Sequence, residues 1–335
     1  MRSRNELCLL TIIKGQLLIF TGTGRFFYAC IHKFNQRIET KFALILNKNF
    51  GIQILLFTPK YEILNTIYET MPLFFVFFSF LLGLIFGSFA NCLIYRLPLK
   101  LPITGRSFCP KCKNTISWYD NIPVISFLLL GAKCRHCHKS ISFYYPLIEL
   151  ITAIGFTLIT YIYLFPNTRY EILDTKYFSW LGSFSLPFSL FIFFIFLLIF
   201  VIDLRHKQIS SPLIEILVFV NLLALLASPS PTLFIHLATA TSAAVFLLIL
   251  FLVTRGHGLG WADIPLSFAL GLLLGYPFII FAVLLAFLTG AVVGLILILM
   301  NQAGLKTAVP FAPFLILGTI ITLIFSEKLV SFFSF

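Results

Sequence analysis

MPLFFVFFSFLLG, residues 71–83, runs on through LIFGSFANCLI to Ile94 and carries no charged side chain over those 24 positions. A helix rises about 1.5 Å per residue, so such a stretch is long enough to cross the roughly 30 Å hydrocarbon layer of a bilayer. Working outward from it, further apolar runs cover residues 144–165, 181–202, 211–227, 231–253, 263–277, 278–300 and 308–325. With the first at 72–94, they predict eight spans. The sixth is short, and its boundary with the seventh falls at Tyr276-Pro277. Composition agrees: 59% of the 335 residues are apolar and only 11% are charged, against about 25% charged in a soluble domain. Forty-one phenylalanines exceed what a water-soluble globule of this size can hide. A disordered chain, a coiled coil, collagen and a disulfide-rich secreted scaffold are thereby excluded. The expected fold is all-α: a polytopic membrane protein of about eight transmembrane helices with a cysteine-rich cytoplasmic loop.

The formal charge of +12 comes mainly from the N-terminal 70 residues and from the connections between spans. Loop 95–143 holds Arg96, Lys100, Arg106, Lys111, Lys113, Lys133, Arg135 and Lys139 against a single acid, Asp120. The positive-inside rule places that loop in the cytoplasm. Alternation then puts 203–210, 254–262 and 301–307 on the same side, and those loops carry Arg205, Lys207, Arg255 and Lys306. A basic excess distributed this way argues for a bilayer and against nucleic acid as the partner. Residues 1–70 differ from the rest, mixing charged and apolar residues without a clean span. Cys8–Phe20 is broken by Lys14 and too short to cross, and no small-residue cleavage pattern marks a signal peptide. They read as an N-terminal extension outside the functional unit, either dispensable or an over-extended reading frame ahead of Met71. The expected organisation is residues 1–70 as that extension, 71–143 as the first membrane helix with the cysteine-rich loop, and 144–335 as the membrane-embedded domain.

After Met71 the chain has eight acids. Glu171, Asp174 and Glu327 fall in outer-side segments, where solvation explains them. Glu149 and Glu215 sit early in the second and fourth spans and read as structural, with Glu149 also placed to organise a site. Asp203 ends the run Phe191–Ile202, and Asp263 follows Gly256-His257-Gly258-Leu259-Gly260-Trp261-Ala262. Taken singly, Asp203 reads as a helix-end acid solvated beside Arg205 and Lys207, and Asp263 as an N-cap or first-turn acid complementing the helix dipole. Taken together, both fall on one membrane face at similar depth, where an ionisable group is expensive. Two adjacent carboxylates share a proton. One can then activate water while the other polarises a peptide carbonyl. Asp203 and Asp263 are therefore the candidate catalytic pair.

Cys109-Pro-Lys-Cys112 and Cys134-Arg-His-Cys137 are separated by 21 residues. Two such pairs at about this spacing form a four-thiolate zinc site, with Cys109, Cys112, Cys134 and Cys137 as ligands and a structural role, because no position remains open for water. His136 and His138 leave the ligand set open. Disulfides are the competing reading, disfavoured in a cytoplasmic loop. The segment Ile116–Gly131 between the pairs is too short to span and is expected along the membrane surface.

These residues together resemble the type IV prepilin leader peptidases. Gly87-Ser88-Phe89-Ala90-Asn91-Cys92 with Tyr95-Arg96-Leu97-Pro98 is similar to that family's motif at the end of its first helix. The loop Cys109–Cys137, with Asn121-Ile122-Pro123 and Gly131, resembles its cysteine-rich loop. Tyr145-Pro146 with Glu149-Leu150, Ile202-Asp203 with Ile209, Gly258–Asp263, and Val309-Pro310-Phe311-Ala312-Pro313-Phe314 resemble four later motifs in the same order. The chain departs from the pattern at Ala262, where glycine is usual, at Pro265, where lysine is usual, and at Ile209-Ser210, with proline delayed to Pro212.

The resemblance implies an aspartic endopeptidase of the bacterial inner membrane, acting at the cytoplasmic face on prepilin or pseudopilin precursors. It also implies methylation of the new N-terminus with S-adenosylmethionine, although the sequence shows no glycine-rich fingerprint for that cofactor. Two rival readings are a proton-coupled transporter, whose inverted repeats are not visible between the halves, and a non-catalytic assembly scaffold of a pilus or secretion machine. The sequence says nothing about oligomeric state.

Overall fold

Backbone N–H and C=O groups in an apolar medium must be satisfied inside the element that carries them, so apolar runs of this kind close into helices. A computed structural model describes residues 59–164, 185–227, 233–256, 259–300 and 310–325, together with five short N-terminal strands; side chains are described from Leu73 onward. Glu171, Asp174, Glu327, Lys306 and Val309 lie outside the described residues.

The chain divides into two units, 1–73 and 74–335. The first contains β1 (Leu9–Ile13), β2 (Gln16–Phe20) and β3 (Phe26–Ala29) in one antiparallel sheet. β4 (Ala43–Asn47) and β5 (Gly51–Leu55) form a second antiparallel pair. The helix α1 (Pro59–Arg96) follows.

The second unit is helical: α2 (Ile125–Leu129), α3 (Tyr144–Leu164), α4 (Ser185–His206), α5 (Ser211–Ala227), α6 (Leu233–Val253), α7 (Asp263–Leu274), α8 (Phe278–Leu299) and α9 (Ala312–Ile324). The expected all-helical membrane architecture is observed there. Among the described residues, five helices are long and apolar enough to cross a membrane: Leu73–Arg96, α3, α4, α6 and α8. The other three apolar runs also form helices, but α5, α7 and α9 have 17, 12 and 13 residues. The twelve residues of α7 rise only about 18 Å. The shortening has visible causes. Gly275, at φ +67° and ψ −172°, ends α7 in a conformation closed to side-chain-bearing residues, and Pro277 precedes α8. Pro310 lies before α9.

α8 packs along α9 and α6 along α7, while α4 lies between α3 and α9 and α5 rests on α7. The core they share contains Leu198, Ile199, Ile202, Leu266, Leu270 and Leu315, all under 2% exposed. Small residues permit the closest approaches. A Cβ at Gly87 would fall 2.5 Å from the Cα of Glu149, and one at Gly271 would fall 2.5 Å from the Cα of Ala240. The long apolar side chains on the outside, such as Phe74, Phe77, Phe234 and Leu299, are exposed to whatever surrounds the bundle.

Candidate active site and metal centre

The run Phe191–Ile202 does not end its helix at the aspartate. α4 continues to His206, so Asp203 occupies the last turn and is 4% exposed. One of its oxygens, Oδ2, has no hydrogen-bond partner. The backbone amide of Ala312, first residue of α9, is directed at the same carboxylate. The first amides of a helix are unpaired and carry partial positive charge, which suits an anion there. That arrangement gives Phe311-Ala312-Pro313-Phe314 a physical role, since it delivers a helix N-terminus to Asp203.

Asp263 is the first residue of α7 and is also 4% exposed. Its Oδ2 accepts a hydrogen bond from the Gly260 backbone N–H at 2.9 Å. The first-turn reading of this acid is therefore correct as far as it goes. Asp203 and Asp263 lie close enough for their charges to repel. Both carboxylates thus sit buried at helix N-termini, within electrostatic reach of each other.

Ala262 adopts φ −72° and ψ −16°, a conformation open to any residue, so no glycine is needed before Asp263. Pro265 is exposed and lies in the first turn of α7, where a missing N–H leaves no helical bond unmade. Glu215 is exposed early in α5. Glu149 is buried, and its Oε2 accepts from the Val124 backbone N–H at 2.8 Å. The start of α3 is further tied to α1 by Asn91 Nδ2, which donates to the Tyr145 carbonyl at 2.9 Å.

The four cysteines converge. Their sulfurs all lie within 4.8 Å of one another, and none forms a disulfide. Each pair sits on the same kind of turn. In the first, Lys113 N donates to Cys109 O at 2.8 Å and Cys109 N to Asn114 O at 2.9 Å. In the second, His138 N donates to Cys134 O at 2.9 Å and Cys134 N to Lys139 O at 3.0 Å. Lys113 and His138, with φ of 58° and 53°, hold equivalent left-handed positions. A zinc ion bonded at about 2.3 Å to four sulfurs separates them by roughly 3.8 Å, so the cluster fits a tetrahedral thiolate site. The Cys137 backbone N–H, and then that of His136, hold the Cys134 thiol down to about 6. Cys112 goes the other way, to about 11: the Asn114 amide pulls it down, but burial and the thiols of Cys109, Cys137 and Cys134 together outweigh it. Beside the cluster, Arg135 pairs with Asp120 at 2.6 Å and holds that carboxyl below its usual range.

Two contacts were not legible beforehand. Arg96, 4% exposed, donates from Nη1 to the carbonyls of Pro102, Ile103 and Thr104 and from Nη2 to those of Gly105 and Arg106, at 2.7–3.5 Å. It thereby gathers the whole lead-in to the cysteine loop. Arg205, two residues after Asp203, stacks 3.5 Å above the Tyr144 ring and joins α4 to the start of α3. In sequence Arg205 counts only as a positive charge near a membrane boundary and Arg96 as one residue of the motif ending the first helix, and nothing local to either one shows what it turns towards.

Fold and site together define a multi-pass helical membrane protein with a pair of buried aspartates and a separate four-cysteine centre. The chain belongs to the type IV leader peptidase family, which it matches over residues 190–295, with the bacterial peptidase A24 N-terminal domain over 81–163. It is 34% identical over 224 residues to the prepilin leader peptidase/N-methyltransferase of Vibrio cholerae, covering 62% of this chain and 80% of that one. It is 31% identical over 257 residues to that of Bacillus subtilis, covering 76% and 96%. A type 4 prepilin-like proteins leader peptide-processing enzyme of Escherichia coli is 31% identical over 268 residues, covering 72% and 90%. No solved structure matches the chain.

Proposed function

We propose that this protein is a membrane-embedded aspartic endopeptidase that removes the short basic leader from type IV prepilin-like precursors at the cytoplasmic face of the bacterial inner membrane. Asp203 and Asp263 form its catalytic pair. The observation that carries the reading is the burial of these two acids at helix N-termini, in mutual electrostatic reach, in a chain of this family. One carboxylate takes a proton from water, and the resulting hydroxide attacks the scissile carbonyl, polarised by the other, protonated acid. Collapse of the tetrahedral intermediate, with the proton taken from water passed on to the departing amine, breaks the C–N bond and releases the leader. The backbone amides of Ala312 and Gly260 hold the two carboxylates in orientation without supplying a competing cation. A hydrophobic helix following the cleavage site would let the bilayer position the substrate.

The names of the relatives support methylation of the new N-terminus as a second step, with S-adenosylmethionine supplying the methyl group. Zinc held by Cys109, Cys112, Cys134 and Cys137 would brace the loop, since four thiolates leave no coordination position for chemistry. Residues 71–143 then form the helix and loop module, residues 144–335 the peptidase domain, and residues 1–70 an extension outside both.

Co-expression of a prepilin-like precursor with Asp203→Asn or Asp263→Asn tests the pair. Each variant is expected to accumulate full-length precursor, with cleavage reduced at least about a thousandfold, the scale on which loss of an essential catalytic group acts. Processing by both variants at the unmodified rate rejects the assignment.

A further inference from the structure

The cysteine loop carries a bare apolar face. In α2, Ile125, Leu128 and Leu129 stand at the i, i+3, i+4 spacing that puts them on one side of a helix, and they are 53%, 70% and 82% exposed. Phe127 and Leu130 are half-buried, so the other side of the element is already covered. Trp118, Tyr119 and Ile122, just ahead of α2, are exposed as well, and so is Phe143. A cluster of large apolar side chains left open on a loop calls for a cover.

The depth of α2 indicates what the cover is. Val124, the residue before α2, donates its backbone N–H to Glu149 Oε2 at 2.8 Å, and Glu149 is five positions past Tyr144, the first residue of α3. Phe143, directly before Tyr144, meets the Phe127 ring edge to face at 6.2 Å between ring centres. The 21 residues of α3 rise about 30 Å, no more than the hydrocarbon layer is thick. The first two turns of α3 therefore lie at the boundary of that layer, and α2 begins beside them. Charge fits the same surroundings. Asp120, the only acid of the loop, is paired with Arg135, whereas Lys100, Arg106, Lys111, Lys113, Lys133 and Lys139 are exposed. In sequence the segment is assigned to the membrane surface by its length alone; its depth, its apolar face and the unmatched cations come from the structure.

We propose that residues 118–129 are an interfacial anchor that seats the cysteine loop on an anionic membrane surface, in the leaflet where α1 ends and α3 begins. Ile125, Leu128 and Leu129 enter the acyl boundary, Trp118 and Tyr119 lie at headgroup depth, and the exposed cations of the loop meet anionic phospholipid headgroups. Five residues are too few for a helix to hold a membrane alone, but two flanking spans already tether this one at the surface. The four-cysteine centre is thereby held against the bilayer rather than hung from it by two strands of chain. The proposal rests on membrane residence of the helices, and on neither the aspartate pair nor methylation.

The experiment uses the unmodified, full-length, zinc-loaded protein in vesicles of about seven parts phosphatidylcholine to three of phosphatidylglycerol, an anionic lipid. A trace of phospholipid carries a photoactivated diazirine near the glycerol end of one acyl chain, and peptide mass reads where the carbene adds. Ile125–Leu129 is expected to take up at least about fivefold more label than residues 111–114 of the same loop, whose side chains reach no deeper than the headgroups. Moving the diazirine from phosphatidylcholine to phosphatidylglycerol should raise that uptake at least about twofold at low salt, and the difference should vanish at about 1 M salt, where the charges are screened. Label at Ile125–Leu129 no higher than at residues 111–114 overturns the anchor. So does labelling there chiefly by a water-soluble diazirine, the result expected of a face kept for a soluble protein partner. Equal labelling from the two lipids at low salt overturns the anionic preference. No variant enters, so folding is not in question, and failure of the peptidase reading would leave the result standing.

Discussion

Ala262 stands directly beside one of the two buried acids, at a position where the resemblance read from the sequence leads one to expect glycine. Its backbone lies in the ordinary helical region, and Gly260, two residues earlier, supplies the amide that orients Asp263. The methyl group therefore costs nothing, and Ala262→Gly is expected to change the cleavage rate less than about twofold and, because Ala262 is the N-cap of α7 and not in its interior, to shift stability by no more than a few tenths of a kcal/mol. A loss of activity beyond tenfold would mean that the site needs a backbone freedom its geometry does not use.

The cysteines behave differently from one another. With zinc stripped by a chelator at pH 7, Cys134 is expected to be alkylated by iodoacetamide fastest of the four, because backbone amides hold it down to about 6, while Cys112 at about 11 stays a thiol. A lowered thiol pKa favours the thiolate above that value and loses it below, so the Cys134 rate should fall as the pH drops through about 6. Mass spectrometry of the labelled peptides reads both. Uniform labelling of the four would refute the turn geometry.

At the scale of elements, the most exacting piece of construction is the lead-in to the cysteine loop. Residues 102–106 form no regular structure, and their carbonyls converge on one guanidinium at the end of α1. Hydrogen bonds to a charged group contribute about 1.5–3 kcal/mol each, with diminishing returns when one donor group serves several acceptors. Arg96→Lys keeps the charge but has neither the planar fork nor five donors. It is expected to expose residues 102–106 to limited proteolysis and to weaken zinc retention by the loop, measured by metal content after dialysis. Unchanged protease resistance would show that the carbonyls need no such hub.

The apolar helices were legible from hydropathy, and 211–227 was placed to the residue as α5. The lengths of α7 and α9 were not. α7 and α9 stop short because Gly275 and Pro310 interrupt the apolar pattern, and a hydropathy reading runs across such breaks. The extension of α4 through Asp203 to His206 was likewise invisible, because polar residues at a helix end look the same as the start of a loop.

For the whole molecule, the division at Leu73/Phe74 falls close to Met71, and the family match starts at residue 81. A chain beginning at Met71 is therefore expected to insert into membranes, to retain zinc and to process a precursor at a rate within about threefold of the full chain. Precursor cleavage and metal analysis on the same preparation check it. Failure to insert would make residues 1–70 part of the functional unit.

The apolar helices, and the choice of two acids and four cysteines as candidates, were legible in the sequence, because hydropathy, charge placement and C-x-x-C spacing are local properties of a chain. Burial of Asp203 against the amide of Ala312, more than a hundred positions away, was decided only by tertiary structure, as were the convergence of two cysteine turns and the five carbonyls gathered by Arg96. Each depends on which helix packs beside which, and that choice is made by side-chain shape and close backbone contact between segments far apart along the chain.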